Sequence, residues 1–181
     1  KTKVFSPNGV AGGIQVPCRA FIYSITMLIR NFHLGDEEAI WSVFYDSVHQ
    51  IASANYTETQ VNAWASKEID PTVWANHIQK LKPFVVEIEQ QIVAYADLQA
   101  DRLIDHFFVS PSVSRQGVGS ALMKHIQTQA KQQKINRLFA YVSLTAKPFF
   151  IYFGFEIEHA QTVTLRNVQL NNFLMVKHLY D

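Results

Sequence analysis

One stretch in the middle of the chain limits the possible folds more than any other. An apolar run from Leu103 to Val109 is followed by Pro111, and then by Gly117 and Gly119, which are one residue apart. A helical pattern of apolar residues comes directly after the glycines. The proline helps to end the apolar run, and the glycines allow a tight turn. The stretch therefore predicts a central strand that turns into a helix.

The beginning of that helix predicts a binding site for an anion. The apolar stripe of the helix consists of Val118, Leu122, Ile126 and Ala130. Because the first turn of a helix has unpaired N–H groups and the positive end of the helix dipole, we expect an anion site at residues 117–121 that a pyrophosphate would fit, with the positive charge of Arg115 beside it. A Rossmann fingerprint would need glycine at position 122, and the Gly-Lys-Ser/Thr of a Walker loop is absent.

The periodicity of the remaining sequence predicts strands and helices on both sides of this unit. Strands are expected over residues 25–30, 84–88, 92–100, 103–109, 137–142, 155–160 and 171–179, and helices over 34–52, 56–66, 69–81, 118–134 and 145–153. Asp36 is expected to cap the first helix, Thr57 and Gln60 to form a capping box, and Asp70 to cap the third helix ahead of Pro71. This order predicts an α/β fold with a mixed sheet and helices on both faces.

Composition excludes several classes of protein. Hydrophobic residues make up 48% of the chain and charged residues 17%, which is enough apolar material for a full core. The net charge of +1 comes without a basic patch, and no apolar run reaches the roughly 20 residues of a membrane span. The one cysteine, Cys18, fits a reducing compartment, and the histidines show no metal-ligand spacing. We therefore predict a cytoplasmic protein without a nucleic-acid, membrane or metal partner.

The first 26 residues differ from the rest of the chain. They contain Pro7, Pro17, and three glycines without a clear period, and they lack the continuous apolar segment of a signal peptide. Two interpretations remain open: sequence upstream of a natural start at Met27, or an extension that packs on the core. The predicted division is an N-terminal extension over 1–26 and one domain over 27–181.

Two motifs resemble the signatures of the GNAT superfamily of N-acetyltransferases. The run from Ser114 to Gly119, SRQGVG, resembles the acetyl-CoA signature R/Q-x-x-G-x-G/A, although its basic residue lies one place late. Thirty-five residues beyond Gly119, the chain reaches the glycine of FFIYFGF, which resembles the second signature, N-x-x-A-x-x-x-Y-x-x-x-G-F. The segments NYTETQVNAWA and TAKPFF are similar to the small bacterial YafP-like subgroup. The resemblance covers about residues 27 to 179.

The resemblance implies a GNAT-like fold whose central sheet splays between its fourth and fifth strands. Acetyl-CoA, the cosubstrate, is then expected in the resulting cleft, with its pantetheine arm along the fourth strand and its diphosphate on the glycine turn. The residues implied to bind it are Phe107, Phe108, Val109, Arg115, Gln116, Gly117, Val118, Gly119, Ser120, Ala121 and Phe150.

Acetyl transfer to an amine needs a group that takes the proton of the amine. Asp105 is the main candidate, because a carboxylate within an apolar strand needs either a partner or a function; a structural Asp paired with a neighbouring strand remains the alternative. The tyrosine that serves as acid in the family corresponds here to Phe150. Tyr152 is a substitute if its short helix is distorted, and Ser143 can bond the pantetheine or a water. A thiolate can also leave without an acid.

The acceptor side is expected to be lined by Tyr56, Trp64, Glu87 and Asp97. His106 is expected on the opposite face of its strand, as a core residue whose ring nitrogens have hydrogen-bond partners.

Three functions remain open for these residues: direct transfer of an acetyl group to a small primary amine in a ternary complex, transfer to a protein or peptide, or an acyl-CoA-binding module with little catalysis. The late strands are further expected to pair across a homodimer.

Overall fold

The computed structural model describes residues 26–179. Cys18 and almost all of the predicted N-terminal extension therefore lie outside the described residues. Within 26–179, no helix is both long enough and apolar enough to cross a membrane.

Eight strands and five α-helices make up the described chain. The strands are β1 Met27–Asn31, β2 Phe84–Ile88, β3 Gln91–Ala96, β4 Leu103–Ile104, β5 Phe107–Val109, β6 Arg137–Ser143, β7 Glu156–Leu165 and β8 Val168–His178. The helices are α1 Glu37–Asp46, α2 Glu58–Trp64, α3 Pro71–Leu81, α4 Val118–Gln132 and α5 Lys147–Tyr152.

The strands form two four-stranded sheets, in the orders β1-β2-β3-β5 and β4-β6-β8-β7. The pair β4–β6 is parallel, and the other pairs are antiparallel. Because β5 pairs only with β3, and β6 pairs with β4 and β8, a gap opens between β5 and β6. The predicted mixed sheet, splayed between its central strands and flanked by helices, is therefore confirmed.

The apolar run from 103 to 109 is not the single strand that was predicted. It divides into β4 and β5, which join different sheets. The break lies at Asp105 and His106, whose backbone N–H groups both donate to Oδ1 of Asp97, at 3.0 and 2.7 Å. Asp97 follows the end of β3 and is 1% exposed. One buried carboxylate therefore takes the place of a strand partner, and the period-two argument does not extend from Leu103 to Phe107.

Helices cover both faces of the sheet that contains β5. Ile126 and Leu122 of α4 belong to a core with Ala94 and Ala96 of β3. On the other face, the side chains of α1 and α3 pack around Tyr95. The alternation of residues along β3 therefore sends neighbouring side chains into two separate cores.

The predicted N-terminal caps are confirmed for α2 and α3 but not for α1. Thr57 and Gln60 form the capping box of α2, and Asp70 caps α3. Asp36 makes no capping bond, because its carboxylate pairs with Arg30 at 2.7 Å and accepts the N–H of His33. The first helix also ends earlier than predicted, at Asp46, and continues as a π-helical turn over Ser47–Ile51.

The Asp97 carboxylate gives a test of the strand break. In Asp97→Ala, two backbone N–H groups would lose their acceptor, and we expect a loss of at least about 2 kcal/mol in the free energy of unfolding. Asp97→Asn keeps an acceptor oxygen and serves as the matched control. Urea unfolding of the two variants measures the difference, and equal stability of the alanine and asparagine variants would contradict the role of this side chain.

The pH dependence of stability tests the same residue. Burial raises the pKa of the Asp97 carboxyl from 3.8 to about 6. The folded protein thus holds this proton more tightly than the unfolded chain, so the wild type loses stability as pH rises from about 4 to 6, by roughly 3 kcal/mol at most. Asp97→Asn has no such proton. Its stability relative to wild type should rise over this window, as followed by urea unfolding at several pH values.

Candidate acyl-transfer site

The edge of β5 that faces the gap toward β6 has backbone N–H and C=O groups without a strand partner. His106 accepts the N–H of Asp97 through its carbonyl, and Ser110 donates its N–H to Val93, so both point toward β3. Because alternate residues of a strand direct their N–H and C=O groups to opposite sides, Phe107 and Val109 direct theirs to the other side. No described strand pairs with that edge. The gap therefore offers donors and acceptors to an extended molecule.

The first turn of α4 borders the same gap. Gly117 precedes the helix with φ 85°, a left-handed conformation that favours glycine. Among the described residues, the N–H groups of Gly117, Val118, Gly119 and Ser120 make no hydrogen bond. The N–H of Ala121 donates to Gly117 at 2.9 Å.

The site for the diphosphate is therefore narrower than residues 116–121, which the resemblance implied. The N–H of Gln116 donates to the carbonyl of Val113 at 3.3 Å, and its side-chain amide donates to Ser112. Gln116 and Ala121 both have their N–H groups engaged, which leaves four adjacent N–H donors at residues 117–120. Arg115 is exposed beside them and has a left-handed φ of 60°.

A cavity of about 540 Å³ lies over this turn, and we call it the α4 cavity. It is lined by Ser47, Val48, Ile51, Ala52, Trp64, Phe107, Phe108, Val109, Val113, Ser114, Arg115, Gly117, Val118, Gly119, Ser120, Ser143, Thr145, Ala146, Pro148 and Phe149. Its floor is thus the unpaired edge of β5, and the π-helical turn after α1 forms part of its wall.

A second cavity of about 680 Å³ lies under the turn between β7 and β8, and we call it the hairpin cavity. It is lined by Phe44, Tyr56, Trp64, Ile69, Val73, Trp74, His77, Ile104, Asp105, His106, Phe107, Phe108, Ala140, Tyr141, Val142, Ser143, Ala146, Phe150, Val163, Leu165, Arg166, Leu170 and Asn172. Most of these side chains are apolar or aromatic, so the few polar ones decide what it binds.

The two cavities meet at the gap between β5 and β6. They share Trp64, Phe107, Phe108, Ser143 and Ala146 in their linings. A molecule in one cavity can therefore touch a molecule in the other across the open edge of β5.

Asp105 is the carboxylate of the hairpin cavity. Its side chain is 40% exposed, and the nitrogen Nε2 of the His106 ring is 3.9 Å from its Oδ2, too far for a hydrogen bond. Partial burial raises the pKa of the Asp105 carboxyl, the charge of Asp101 raises it further, and His77 opposes the rise. A carboxylate with a raised pKa and no hydrogen bond to a donor among the described residues can accept a proton from a bound molecule.

His106 lies between the cavity and the core. Its Nδ1 is 2.9 Å from the hydroxyl of Tyr95, and its Nε2 is 3.2 Å from Nε2 of His77. Burial and the neighbouring His77 lower the pKa of His106 to about 3, so this imidazole stays neutral at working pH. Its hydrogen bonds agree with the prediction of a satisfied residue, although it also lines the hairpin cavity.

The two predicted hydroxyl groups have different positions. Ser143 lines both cavities, and its Oγ accepts the N–H of Ala146 at 3.1 Å. Tyr152 is 80% exposed on α5 and lines neither cavity, because it lies about 200° around the helix from the buried Phe150. We therefore remove Tyr152 from the candidate site.

Phe150 lines the hairpin cavity, whereas it was expected beside acetyl-CoA. It is 3% exposed and packs against Phe107 and Phe155, with ring centroids 5.7 and 5.0 Å away. The aromatic residue of α5 that lines the α4 cavity is its neighbour Phe149.

Two of the four predicted acceptor residues line the hairpin cavity. Trp64 lines both cavities, and Tyr56 lines this one, with its hydroxyl donating to the carbonyl of Asn171 at 2.6 Å and accepting the N–H of Leu144. Glu87 lines neither cavity, because it lies on β2 and pairs with Arg30 at 2.9 Å.

Asp97 also lines neither cavity, because its carboxylate is buried beneath the strand break. The role of Asp97 is thus to accept the N–H groups of the strand break. We remove both Glu87 and Asp97 from the acceptor site.

Several lining residues were missed in the sequence. The spacing of apolar residues in the π-helical turn Ser47–Ile51 looks like that of an ordinary α-helix, so the sequence did not indicate this turn. His77 and Arg166 line the hairpin cavity from α3 and from the β7–β8 turn, so only tertiary structure brings them to the same cavity as Asp105. Asn172 lines the same cavity, and its Oδ1 has no hydrogen-bond partner among residues 26–179. No group of three or more His, Cys, Asp or Glu residues in that range could hold a metal ion.

The sequence matches known acetyltransferases. The model of the family "Acetyltransferase (GNAT) domain" matches residues 52–169. The uncharacterized N-acetyltransferase YafP of Escherichia coli (strain K12) is 33% identical over 147 residues, which are 81% of this chain and 93% of YafP. These matches confirm the resemblance that the two motifs indicated.

Solved structures agree with these matches. The crystal structure of a GCN5-related N-acetyltransferase from Rhodopseudomonas palustris has a TM-score of 0.80 at 25% identity, over 84% of this chain and 96% of that one. The PaiA N-acetyltransferase from Thermoplasma acidophilum, solved in complex with coenzyme A, has a TM-score of 0.67 at 17% identity, over 85% and 99%. The second likeness supports the fold alone.

The two glycines of the turn should differ in their response to alanine. Gly117→Ala would place a Cβ in a left-handed conformation and should cost about 1–2 kcal/mol of unfolding free energy. At Gly119, an added Cβ would meet Phe149 and Val109 at 3.5 Å, an ordinary contact, so Gly119→Ala should keep wild-type stability. Urea unfolding of both variants checks this, and equal loss at both positions would contradict the geometry of the turn.

Proposed function

The chain belongs to the GNAT family of acetyl-CoA-dependent acyltransferases, and we propose that it transfers an acetyl group to the primary amine of a small molecule. The observation that carries the proposal is the meeting of two different cavities at the open edge of β5. One has backbone N–H donors for an anion, and the other has Asp105 within an aromatic lining.

The α4 cavity fits acetyl-CoA. Its four unpaired N–H groups at residues 117–120 suit a diphosphate, and Arg115 adds positive charge beside them. The unpaired N–H and C=O groups of Phe107 and Val109 suit the amides of a pantetheine arm. When bound, acetyl-CoA supplies an acetyl thioester, which is the activated group that the amine attacks.

The hairpin cavity fits a small acceptor. Its volume of about 680 Å³ lies within the range of small-molecule sites, roughly 300–1,000 Å³. Phe44, Trp74 and Phe108 form an aromatic wall, which favours an acceptor with an apolar portion next to its amine.

Asp105 is proposed to take the proton of the amine. An ammonium has no lone pair for attack, so a base must remove the proton directly or through a water. The raised pKa of the Asp105 carboxyl moves it toward the pH at which a base is most effective. His106 does not compete for this role, because its lowered pKa makes it a weak base.

The backbone N–H of Val109 is proposed to donate to the carbonyl oxygen of the thioester. This group lies on the unpaired edge of β5 and lines the α4 cavity close to the shared boundary. Such a fixed donor stabilises negative charge as it develops on oxygen. Ser143, which lines both cavities, is proposed to orient the pantetheine or a water.

Direct attack within a ternary complex follows from the shared boundary. Because the cavities share five lining residues, the donor and the acceptor can be bound at the same time.

The proposal keeps the cytoplasmic location and the homodimer predicted from the sequence. The outer edge of β7 is unpaired in the described structure, which supports the latter, and analytical ultracentrifugation would measure it.

A panel of amines tests the proposed function. The protein is incubated with acetyl-CoA and either small primary amines or peptides with free N-termini, and thiol release is followed. We expect turnover of small amines, with intersecting lines in initial-rate plots. Parallel lines would contradict direct attack, preference for peptides would contradict a small acceptor, and coenzyme A binding without turnover of any amine would contradict catalysis.

Replacement of Asp105 tests the proposed base. Asp105→Asn should lower kcat/KM about 100-fold at neutral pH, because it removes a general base. The carboxylate acts only when ionised, so the ratio of wild-type to variant rates should shrink as pH falls through the raised pKa of Asp105. Glu89→Gln, which removes an exposed carboxylate in the turn between β2 and β3 outside both cavities, is the control. A pH-independent ratio would assign Asp105 a structural role.

A further inference from the structure

Arg166 brings a positive charge to the hairpin cavity. It occupies the two-residue turn between β7 and β8, where Leu165 pairs with Val168. Arg166 and Asn167 have φ values of 49° and 63°, as in the tight turns that match the twist of a hairpin. The two-residue turn fixes the backbone from which this guanidinium reaches the cavity.

A single backbone contact holds the Arg166 side chain. Its Nη1 donates to the carbonyl of Ala63, in the last turn of α2, at 2.5 Å. Ala63 precedes Trp64, which lines both cavities. Within residues 26–179, no carboxylate lies within salt-bridge distance of Arg166, and its other N–H groups make no hydrogen bond. The guanidinium is thus positioned by the protein while most of its donors remain available.

The charged groups of the cavity lie on different elements. Among the lining residues, Asp105 is the one carboxylate and Arg166 the one guanidinium. Asp105 follows β4 at the sheet gap, whereas Arg166 lies at the tip of the hairpin. Val163 and Leu165 line the cavity from the hairpin strand that leads to this tip. The cavity therefore has a carboxylate beside the sheet gap, a guanidinium at the hairpin tip, and apolar side chains from β7 next to that tip.

We propose that the acceptor is an amino-carboxylate, whose amine reaches Asp105 while its carboxylate binds Arg166. This inference rests on the proposed function and names the class of its acceptor. A guanidinium pairs with a carboxylate through two parallel hydrogen bonds, so Arg166 selects for the anionic end of the molecule. The apolar wall accommodates the carbon chain that separates the two charges.

Two matched series of acceptors test this inference. One series consists of ω-amino carboxylates of increasing chain length, and the other of alkylamines of the same lengths. In the longer members, where several methylene groups separate the carboxylate from the amine, the two series are nearly equal in basicity, so a difference in rate there reports on the carboxylate. Thiol release from acetyl-CoA is measured for the wild type, Arg166→Gln, Arg166→Lys and the control Arg102→Gln, which removes an exposed guanidinium outside both cavities.

In the wild type, kcat/KM for the best amino-carboxylate should exceed that for the matched alkylamine about tenfold, as expected for a partly exposed charged hydrogen bond. Arg166→Gln should bring this ratio close to one, and the ratio is the readout because the substitution also removes the bond to Ala63 and can change the rates of both series together. Arg166→Lys should retain part of it, and Arg102→Gln all of it. A purely structural Arg166 would lower both series equally.

The possible failures are distinguishable. If alkylamines react as well as amino-carboxylates in the wild type, or if the ratio survives in Arg166→Gln, the amino-carboxylate inference is overturned and the proposed function stands. If neither these series nor any other amine releases thiol, the proposed function fails as well. A preference that is independent of chain length would also overturn the inference, because two fixed charges require a defined spacing.

Discussion

The position of the candidate site depends on two backbone N–H groups that bond to a side chain and not to a neighbouring strand. Those of Asp105 and His106 donate to one buried carboxylate, that of Asp97. With these donors satisfied, β4 can join β6 while β5 stays with β3, and the gap between the sheets remains open. Without this acceptor, the chain would have to bury two unpaired N–H groups or close the gap. Both cavities therefore depend on a residue that lines neither of them.

The two sides of the gap use different kinds of groups. The α4 cavity relies on backbone N–H groups at residues 117–120 and on the edge of β5, whose positions depend on the fold and little on side-chain identity. The hairpin cavity relies on side chains, among them Asp105 and Arg166. In the proposed function, the first arrangement binds acetyl-CoA and the second binds the amine acceptor.

This difference also explains how much the sequence could predict. A turn with Gly117 in a left-handed conformation and a helix behind it is a local feature, so the turn with its unpaired N–H groups and the fold class were predictable. The strand break was not, because 103–109 has the apolar character of one strand and the competing acceptor, Asp97, is separated from it by a loop. Tyr152 and Glu87 looked suitable by residue type, but their direction depends on tertiary packing. Arg166 reaches the cavity from a distant hairpin, and no local pattern indicates this.

The tether between Arg166 and Ala63 connects the hairpin tip to the end of α2 by one backbone carbonyl. The hairpin contributes to the acceptor side alone, since none of its residues lines the α4 cavity. Under the proposed function, a substitution at this tip would change the binding of the acceptor while every residue proposed to bind acetyl-CoA stays the same.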